Sequence, residues 1–145
     1  MRRPSHLASN NSVIIEVIRH VLRHIKADII VLLNPTSPIR INNIIDHAIK
    51  RFIKNADSLA TGYLCKHYEW GTIHDIPRQK KKGFFVANGF VYIHKTEILL
   101  DGKWYGKKLE RMIVPQMYNF DIDEDENLWA VEGIIINLKK GGIIK

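Results

Sequence analysis

The stretch that decides the fold prediction is DIIVLLNPTSPIR, residues 28–40. Its first six residues form a short apolar run rich in β-branched side chains, which is typical of a strand buried on both faces, as in a parallel sheet. Asn34-Pro35 ends that strand and opens a loop that carries hydroxyls, an amide and Arg40. Ligands of open α/β sheets bind outside the carboxyl ends of strands, so this loop is a candidate binding site. A rigid turn that caps the next helix, with Ser37 as the cap, explains the loop alone equally well.

Helical and strand patterns alternate outward from this loop. Apolar spacing predicts helices over 14–25 and 41–53, and the N-cap of the first is sought among Asn10, Asn11 and Ser12. Strands are predicted over 58–64, 90–94 and 113–120, and a closing helix over 124–136 has Leu128, Trp129, Val131 and Ile135 as its apolar contacts. The alternation predicts a single α/β domain with helices on a mostly parallel sheet.

Composition narrows the class of protein. The 145 residues fit one domain, and 46% of them are hydrophobic, which is enough for a core. No apolar stretch is long enough to span a bilayer and no secretory signal is recognisable, so we expect no membrane partner. Cys65 is the single cysteine, which excludes an internal disulfide and suits the reducing cytoplasm.

The charges are unevenly placed along a chain whose formal net charge is +7. Positive residues cluster at 19–26 and 78–82, whereas residues 121–126 carry five carboxylates. This separation favours a site that handles an anionic substrate and a metal cation over a uniformly basic nucleic-acid binder. A basic nucleic-acid-binding domain stays open as an alternative, because aromatic residues are interleaved with the basic ones near residue 80.

The acidic run begins with Asp121 and Asp123. In an extended segment their side chains point to the same face, where two carboxylates can share a Mg²⁺ ion that also binds substrate phosphates. The remaining acids favour the N-terminus of the following helix, and all five serving that purpose is the alternative. A calcium loop that runs from Asp121 to Glu132 is a weaker alternative, because Glu126 stands where that loop needs glycine.

A long polar segment, residues 66–82, precedes a basic and aromatic block. Such a long loop inside a compact domain is usually functional. Arg78 could bind a carboxylate bidentately, while Gln79 and Asn88 could bond sugar hydroxyls or an amide. The alternative is a basic loop that leads into a hairpin turn at Asn88-Gly89.

Together and in this order, the motifs resemble those of the acylneuraminate cytidylyltransferases, or CMP-sialic acid synthetases. Residues 3–9 resemble the family's R-P-x-x-L-A segment, and residues 32–40 its L-L-Q-P-T-S-P-L-R loop. Residues 77–79 with 88–93 resemble its R-Q…N-G-A-I-Y-I block, and residues 121–123 its D-I-D metal motif. The similarity covers nearly the whole chain.

The resemblance implies a Rossmann-like three-layer nucleotidyltransferase fold and a cytoplasmic, Mg²⁺-dependent transferase. Such an enzyme joins CTP to a nine-carbon sugar acid, an acylneuraminate, and releases pyrophosphate. It also implies a homodimer in which about residues 65–85 serve dimerisation or sugar binding, with no role for nucleic acid. The implied catalytic residues are Asp121, Asp123 and Arg78, and the two aspartates hold the metal. The implied substrate-binding residues are Asn34, Thr36, Ser37, Arg40, Gln79, Asn88 and Tyr92.

The chain also departs from the family pattern. That pattern begins with a strand and a loop that cradles the triphosphate, and nothing before Arg3 corresponds to them. We therefore expect a single partial domain, N-terminally truncated, that lacks the nucleotide-binding segment. An enzyme whose true start lies upstream of Met1 and an inactive remnant that keeps the sugar-binding or dimer surface both stay open. Asn34 replaces a glutamine, Val86 stands where some members carry arginine, and Asn10 where aspartate is common.

Overall fold

The computed structural model describes residues 2–9, 11–72 and 75–144. These residues form strands β1 (Ile29–Leu32), β2 (Ser58–Cys65), β3 (Phe84–Lys95) and β4 (Leu109–Ile113). The α-helices are α1 (Ile14–Leu22), α2 (Ile44–Asn55), α3 (Thr96–Leu100) and α4 (Asp125–Lys140). Short 3₁₀ helices span Ser5–Leu7, Arg78–Lys80 and Gln116–Asn119. The predicted α/β class is confirmed.

The four strands form one open sheet in the order β1-β3-β2-β4. β3 runs antiparallel to both β1 and β2, and β2 is parallel to β4. The prediction of a mostly parallel sheet is therefore wrong. A loop connects β2 to β3, which lies directly beside it, and this direct connection makes the central pair antiparallel. The chain passes through α3 before β4 pairs with the other edge of β2.

Strand β1 lies at the edge of the sheet and not in its middle. It pairs with β3 from Ile29↔Lys95 to Leu32↔Tyr92, and within the described residues no strand pairs with its outer edge. Its side chains are half-buried, and Ile29 is 38% exposed. The expectation of burial on both faces is thus wrong, because an apolar run cannot indicate how many neighbouring elements cover it.

The core lies between the sheet and helix α2. Ala48 and Phe52 of α2 are buried with Leu59 of β2 and with Val91 and Ile93 of β3. The predicted apolar stripe over 41–53 is confirmed, and truncating a side chain such as Phe52 to alanine costs about 3–5 kcal/mol. Helix α4 adds Val131 and Leu138 to the same cluster, as Val131 was expected to do.

Several element ends differ from the sequence prediction. Helix α1 begins after Val13, and no side chain caps it, so neither Asn11 nor Ser12 serves as the cap; Asn10 lies outside the described residues. The predicted strand over 113–120 is wrong, because β4 ends at Ile113 and Pro115 precedes a 3₁₀ helix. Helix α4 forms as predicted and extends to Lys140, but Leu128 and Trp129 are exposed and not apolar contacts. No described helix has the length and apolar character needed to cross a membrane.

Candidate functional site

Three distant segments of the chain meet beside Gly89 of β3. A Cβ atom at Gly89 would lie 3.2 Å from Asn34 Nδ2, 3.2 Å from Asp121 Oδ2 and 4.0 Å from Ser37 Oγ. Asn34 and Ser37 belong to the loop after β1, and Asp121 follows the last 3₁₀ helix. The fold therefore brings an amide, a hydroxyl and a carboxylate to the carboxyl end of β1, as the sequence predicted for the loop.

A pair of hydrogen bonds joins the loop after β1 to the acidic segment. The buried Ser37 hydroxyl, 1% exposed, donates to Asp121 Oδ1 at 3.1 Å. The Ile122 N–H donates to the Thr36 carbonyl at 2.8 Å. Helix α2 follows Asn43, so Ser37 binds the acidic segment and does not cap that helix. Its contact is with the predicted metal-binding residue.

Arg40 stabilises the loop from within. Its guanidinium donates to the backbone carbonyl of Asn34 and lies over the Phe90 ring, 5.9 Å from the ring centroid. Its Nε is buried and has no hydrogen-bond partner among the described residues. Arg40 thus fixes the backbone that presents the Asn34 amide.

Asn88 is already engaged on both atoms of its amide. Its Oδ1 accepts from Thr61 Oγ1 at 2.8 Å, and its Nδ2 donates to the Tyr118 carbonyl at 3.0 Å and to Asn119 Oδ1 at 2.8 Å. The structure therefore places Asn88 as a brace between β2 and the last 3₁₀ helix. Sequence reasoning missed Thr61 and Asn119, and the signal for Thr61 was a hydroxyl in the middle of a buried strand.

The Asn88-Gly89 pair is a bulge inside β3, and the hairpin-turn interpretation is wrong. The register moves from Ala60↔Tyr92 to Gly62↔Ala87, so β3 accommodates extra residues opposite Thr61. The Val91 N–H then donates to Thr61 Oγ1 at 3.0 Å. Gly89 has φ +73°, a conformation that costs a side-chain-bearing residue energy. The bulge turns the Gly89 backbone towards Asn34 and Asp121.

Tyr92 lies near the same cluster and is half-buried. Burial raises the pKa of the Tyr92 hydroxyl, and the negative charge of Asp121 raises it further, while a hydrogen bond with the Gly89 backbone acts in the opposite direction. Its hydroxyl therefore stays protonated at neutral pH and can donate to a ligand. The predicted substrate-binding residues Asn34, Ser37 and Tyr92 thus surround Asp121.

The two predicted metal ligands flank Ile122, whose side chain packs against the core. Asp121 lies beside Gly89, and Asp123 follows at the bend that leads into α4. Asp121 is half-buried and Asp123 is exposed. No cluster of three or more His, Cys, Asp or Glu side chains exists among the described residues. Mg²⁺ takes one or two protein carboxylates and completes its shell with phosphate oxygens and water, so Asp121 and Asp123 are the residues that could hold it.

The other acids of the run belong to helix α4. Glu124 is its N-cap and forms a reciprocal capping box with Asn127, and Asp125 and Glu126 occupy the first turn. The interpretation that all five acids serve the helix is wrong for Asp121, which bonds Ser37. A calcium loop is also excluded, because residues from Asp125 onward are already helical.

Arg78 and Gln79 lie in an exposed 3₁₀ helix beyond the end of β2. Arg78 borders an open cavity of about 400 Å³ with His67 and Asn119. Asn119 also bonds Asn88, so this cavity adjoins the brace next to Gly89. The Gln79 carbonyl accepts from Lys66 Nζ at 3.4 Å. The arrangement gives two neighbouring polar regions, one around Asp121 and one around Arg78.

Comparison with known proteins adds no relative. Neither a family model nor a curated protein sequence matches this chain.

Proposed function

We propose that this chain contributes the sugar-acid and metal half of a cytidylyltransferase site that activates a sialic-acid-type sugar. The observation that carries the proposal is the meeting of Asn34, Ser37 and Asp121 around the Gly89 backbone. A carboxylate fixed by a buried hydroxyl, beside a free amide, suits a polar substrate and a cation at the end of a strand. The motif resemblance supplies the reaction class.

The proposed reaction joins the sugar's anomeric hydroxyl oxygen to the α-phosphorus of CTP. The bond between the α-phosphorus and the bridging oxygen breaks, and pyrophosphate leaves. Asp121 and Asp123 would hold Mg²⁺, which would offset the negative charge on the phosphates. Ser37 orients the Asp121 carboxylate, because its hydroxyl occupies Oδ1 and leaves Oδ2 directed towards Gly89.

The sugar acid is assigned to the region between Asn34 and Arg78. The exposed Arg78 guanidinium suits bidentate binding of the sugar carboxylate, and it borders the cavity next to Asn119. The Asn34 amide and the Tyr92 hydroxyl can bond the neutral groups of the sugar. Asn88 holds Asn119 beside this cavity, since its own amide is engaged with Thr61 and Asn119.

The proposal further takes the mixed sheet and its helices as part of a Rossmann-like three-layer nucleotidyltransferase fold in a cytoplasmic homodimer. The accessible surface is 10566 Å², against about 7,700 Å² for a compact monomer of this mass. In the segment of about residues 65–85, Trp70 is 94% exposed, and Tyr68, Ile76 and Phe84 are also exposed. These exposed apolar side chains support a partner subunit at this segment.

A nucleic-acid-binding domain is the less supported class. Lys81 Nζ lies 3.6 Å from the centroid of the Tyr68 ring, so one face of this ring is covered by a cation and cannot stack on a base. Binding of a single-stranded oligonucleotide that falls steeply with added salt would instead favour that class.

The decisive experiment separates sugar binding from turnover. The purified chain is incubated with CTP, MgCl₂ and N-acetylneuraminic acid, and CMP-sugar and pyrophosphate are quantified. Binding of N-acetylneuraminic acid alone is followed by saturation-transfer NMR. We expect binding of N-acetylneuraminic acid, because the proposal gives this chain the sugar-acid part of the site, and product in addition would identify an active transferase. Binding without product would identify the chain as a catalytically inactive sugar-binding protein, and the absence of both would overturn the proposal.

The dimer part of the proposal has its own test. Sedimentation equilibrium should give twice the mass of one chain, and Trp70→Ser should shift the equilibrium towards the monomer. Trp129→Ser is the matched control, because Trp129 is also exposed but lies on α4. Equal effects of the two substitutions, or a monomeric parent protein, would contradict the assignment of residues 65–85.

A further inference from the structure

Strand β4 has an outer edge whose backbone groups are available for pairing. It pairs with β2 in parallel and without a bulge, and no other strand of the described part of the chain lies beside it. The Val114 N–H donates to the Gly62 carbonyl of β2. The hydrogen-bonding groups of successive residues in a strand point alternately to its two sides. Leu109, Arg111 and Ile113 therefore direct their N–H and C=O groups away from β2, towards the outer edge.

The two faces of β4 differ in character. Met112 lies in the core, and the Glu110 carboxylate bonds helix α2, so both side chains are on the α2 face of the sheet. Because side chains alternate along a strand, Leu109, Arg111 and Ile113 lie on the opposite face. Leu109 is 43% exposed and Ile113 is 56% exposed. A strand added at this edge would cover two apolar side chains on that face.

The groove between α2 and the outer part of β4 is basic. A cavity of about 580 Å³ lies between the last turn of α2 and the first residues of β4, and a second of about 310 Å³ lies farther along the strand. Arg51 and Lys54 border both cavities, Lys108 borders the first, and Lys50 borders the second. Among the described residues that line them, Glu110 is the one carboxylate. The groove therefore favours acidic side chains.

The cations of this groove are accessible. Arg51, Lys50 and Lys54 are all exposed. Glu110 bonds Arg51 through Nε alone, which leaves the terminal nitrogens of the guanidinium directed to other acceptors. Lys50 and Lys54 form no ion pair with another described residue. A carboxylate brought into the groove can thus reach unpaired positive charge.

We propose that the outer edge of β4 binds an extended segment of a partner protein in which acidic and apolar side chains alternate. Its backbone would pair with Leu109, Arg111 and Ile113, as in other cases of strand addition to a sheet edge. Its carboxylates would face the basic groove, and its apolar side chains would cover Leu109 and Ile113. The surface shares no residue with the cluster at Gly89, so the inference does not depend on the proposed transferase activity.

The first test compares two peptides that differ in charge alone. Acetyl-EVEVEVE-amide and acetyl-KVKVKVK-amide are titrated into the ¹⁵N-labelled protein at pH 7, and the amide resonances of β4 are followed. The acidic peptide should bind at least about tenfold more tightly, and added NaCl should weaken it. Equal affinities, tighter binding of the basic peptide, or no shift with either would overturn the proposal. So would tighter binding of an oligothymidylate, which would assign the surface to nucleic acid.

N-methylated peptides test the backbone pairing. In an antiparallel pair the valine N–H groups point to β4, and in a parallel pair the glutamate N–H groups do. Methylation of the valine nitrogens in one peptide, or of the inner glutamate nitrogens in a second, should therefore abolish binding in one case and spare it in the other. The affected peptide gives the direction of the added strand. The same affinity for both would contradict pairing at this edge.

Substitutions locate the groove. Lys54→Glu should weaken the acidic peptide at least about threefold. Lys139→Glu is the matched control, because Lys54 and Lys139 both lie in the last turn of a helix, and it should leave the affinity unchanged. Equal effects of the two substitutions would exclude the groove beside α2.

A further pair of variants locates the edge. Arg111→Pro removes an N–H that points away from β2, so the sheet should stay intact while the peptide binds at least about tenfold more weakly than to Arg111→Ala. Circular dichroism checks that both variants are folded, and the N-methylated peptides test the pairing without any variant. Equal affinities of the two variants would contradict the proposal. A dimeric parent protein that Arg111→Pro converts to a monomer would show a second copy at this edge and would also overturn it.

Discussion

Ser37 and Asp121, separated by 84 positions in the chain, are joined by a hydrogen bond of 3.1 Å from the serine hydroxyl to the carboxylate. This bond couples the loop after β1 to the segment that precedes α4. Both residues lie beside Gly89, so a side chain at that position would meet the two groups that this bond joins.

Gly89→Ala should lower the free energy of unfolding only modestly, and it should also weaken sugar-acid binding at the site. The positive φ of Gly89 costs an alanine about 1–2 kcal/mol. The new methyl group also meets the ends of the Asn34 and Asp121 side chains, which must move aside. We expect binding of N-acetylneuraminic acid to weaken at least about tenfold, measured by NMR titration.

Gly102→Ala is the matched control for this substitution. Gly102 has φ +76°, and a Cβ there would meet nothing within 4 Å. The free energy of unfolding of Gly102→Ala should fall by about as much as that of Gly89→Ala, while its affinity for the sugar acid stays unchanged. A Gly89→Ala variant that binds as well as Gly102→Ala would show that the cluster does not contact the sugar.

Asp121→Asn should lower CMP-sugar formation about 100-fold or more, because a neutral amide cannot offset the charge of Mg²⁺ beside the phosphates. Asp125→Asn makes the same chemical change in the first turn of α4. There it should cost only about 0.3–1 kcal/mol of stability through the helix dipole, with turnover unchanged. Equal turnover in the two variants would remove Asp121 from the metal site.

Thr61→Val should destabilise the protein by about 1–3 kcal/mol, measured by urea denaturation. The hydroxyl is buried, and its loss leaves the Val91 N–H without its partner and Asn88 Oδ1 with only the longer hydrogen bond from the Phe90 N–H, 3.3 Å. Thr72→Val is the control, because that hydroxyl bonds the Glu69 carbonyl at an exposed position. A double-mutant cycle with Asn88→Ala should give a coupling free energy of about 1 kcal/mol, and additive effects would exclude the brace.

Stability should fall as the pH drops from 6.5 towards 4. Burial lowers the pKa of His94 from 6.5 to about 4, so below pH 6.5 the unfolded chain binds a proton that the folded chain does not. Between pH 7 and pH 5 this linkage removes about 2 kcal/mol from the free energy of unfolding. His94→Gln, followed by urea denaturation at each pH, should lack this component.

Asp57 contributes in a different pH range. Its hydrogen bond with the Lys95 ammonium lowers the pKa of the Asp57 carboxyl below 3.8. The contribution of Asp57 to stability is therefore complete above pH 3.8 and is lost only as the pH falls through the lowered pKa. This lies below the pH range in which His94 acts. A His94→Gln variant whose stability still declined between pH 6.5 and pH 5 as steeply as the parent's would contradict the assignment to His94.

The residue pattern within each segment predicted the helices and strands well, but it did not predict which of them lie next to one another. The apolar stripe of α2, the strand at Ser58–Cys65 and the existence of α4 were all predictable, because each depends on side-chain periodicity within one segment. The direction and position of β1 were not. The same apolar run fits a central parallel strand and the edge strand that pairs antiparallel with β3, since its sequence does not specify its partners.

The loop from Asn34 to Arg40 and the acidic residues were predicted as candidate site residues from their chemistry and from the position of the loop after a strand. The sequence by itself determined these residue types, the apolar stripes and the uneven placement of charge. Only the tertiary structure decided that Ser37 bonds Asp121, that Asn88 is a brace held by Thr61, and that Gly89 is a bulge beside both. Contacts between distant segments depend on the register of the whole sheet, and one bulge in β3 changes which side chains meet.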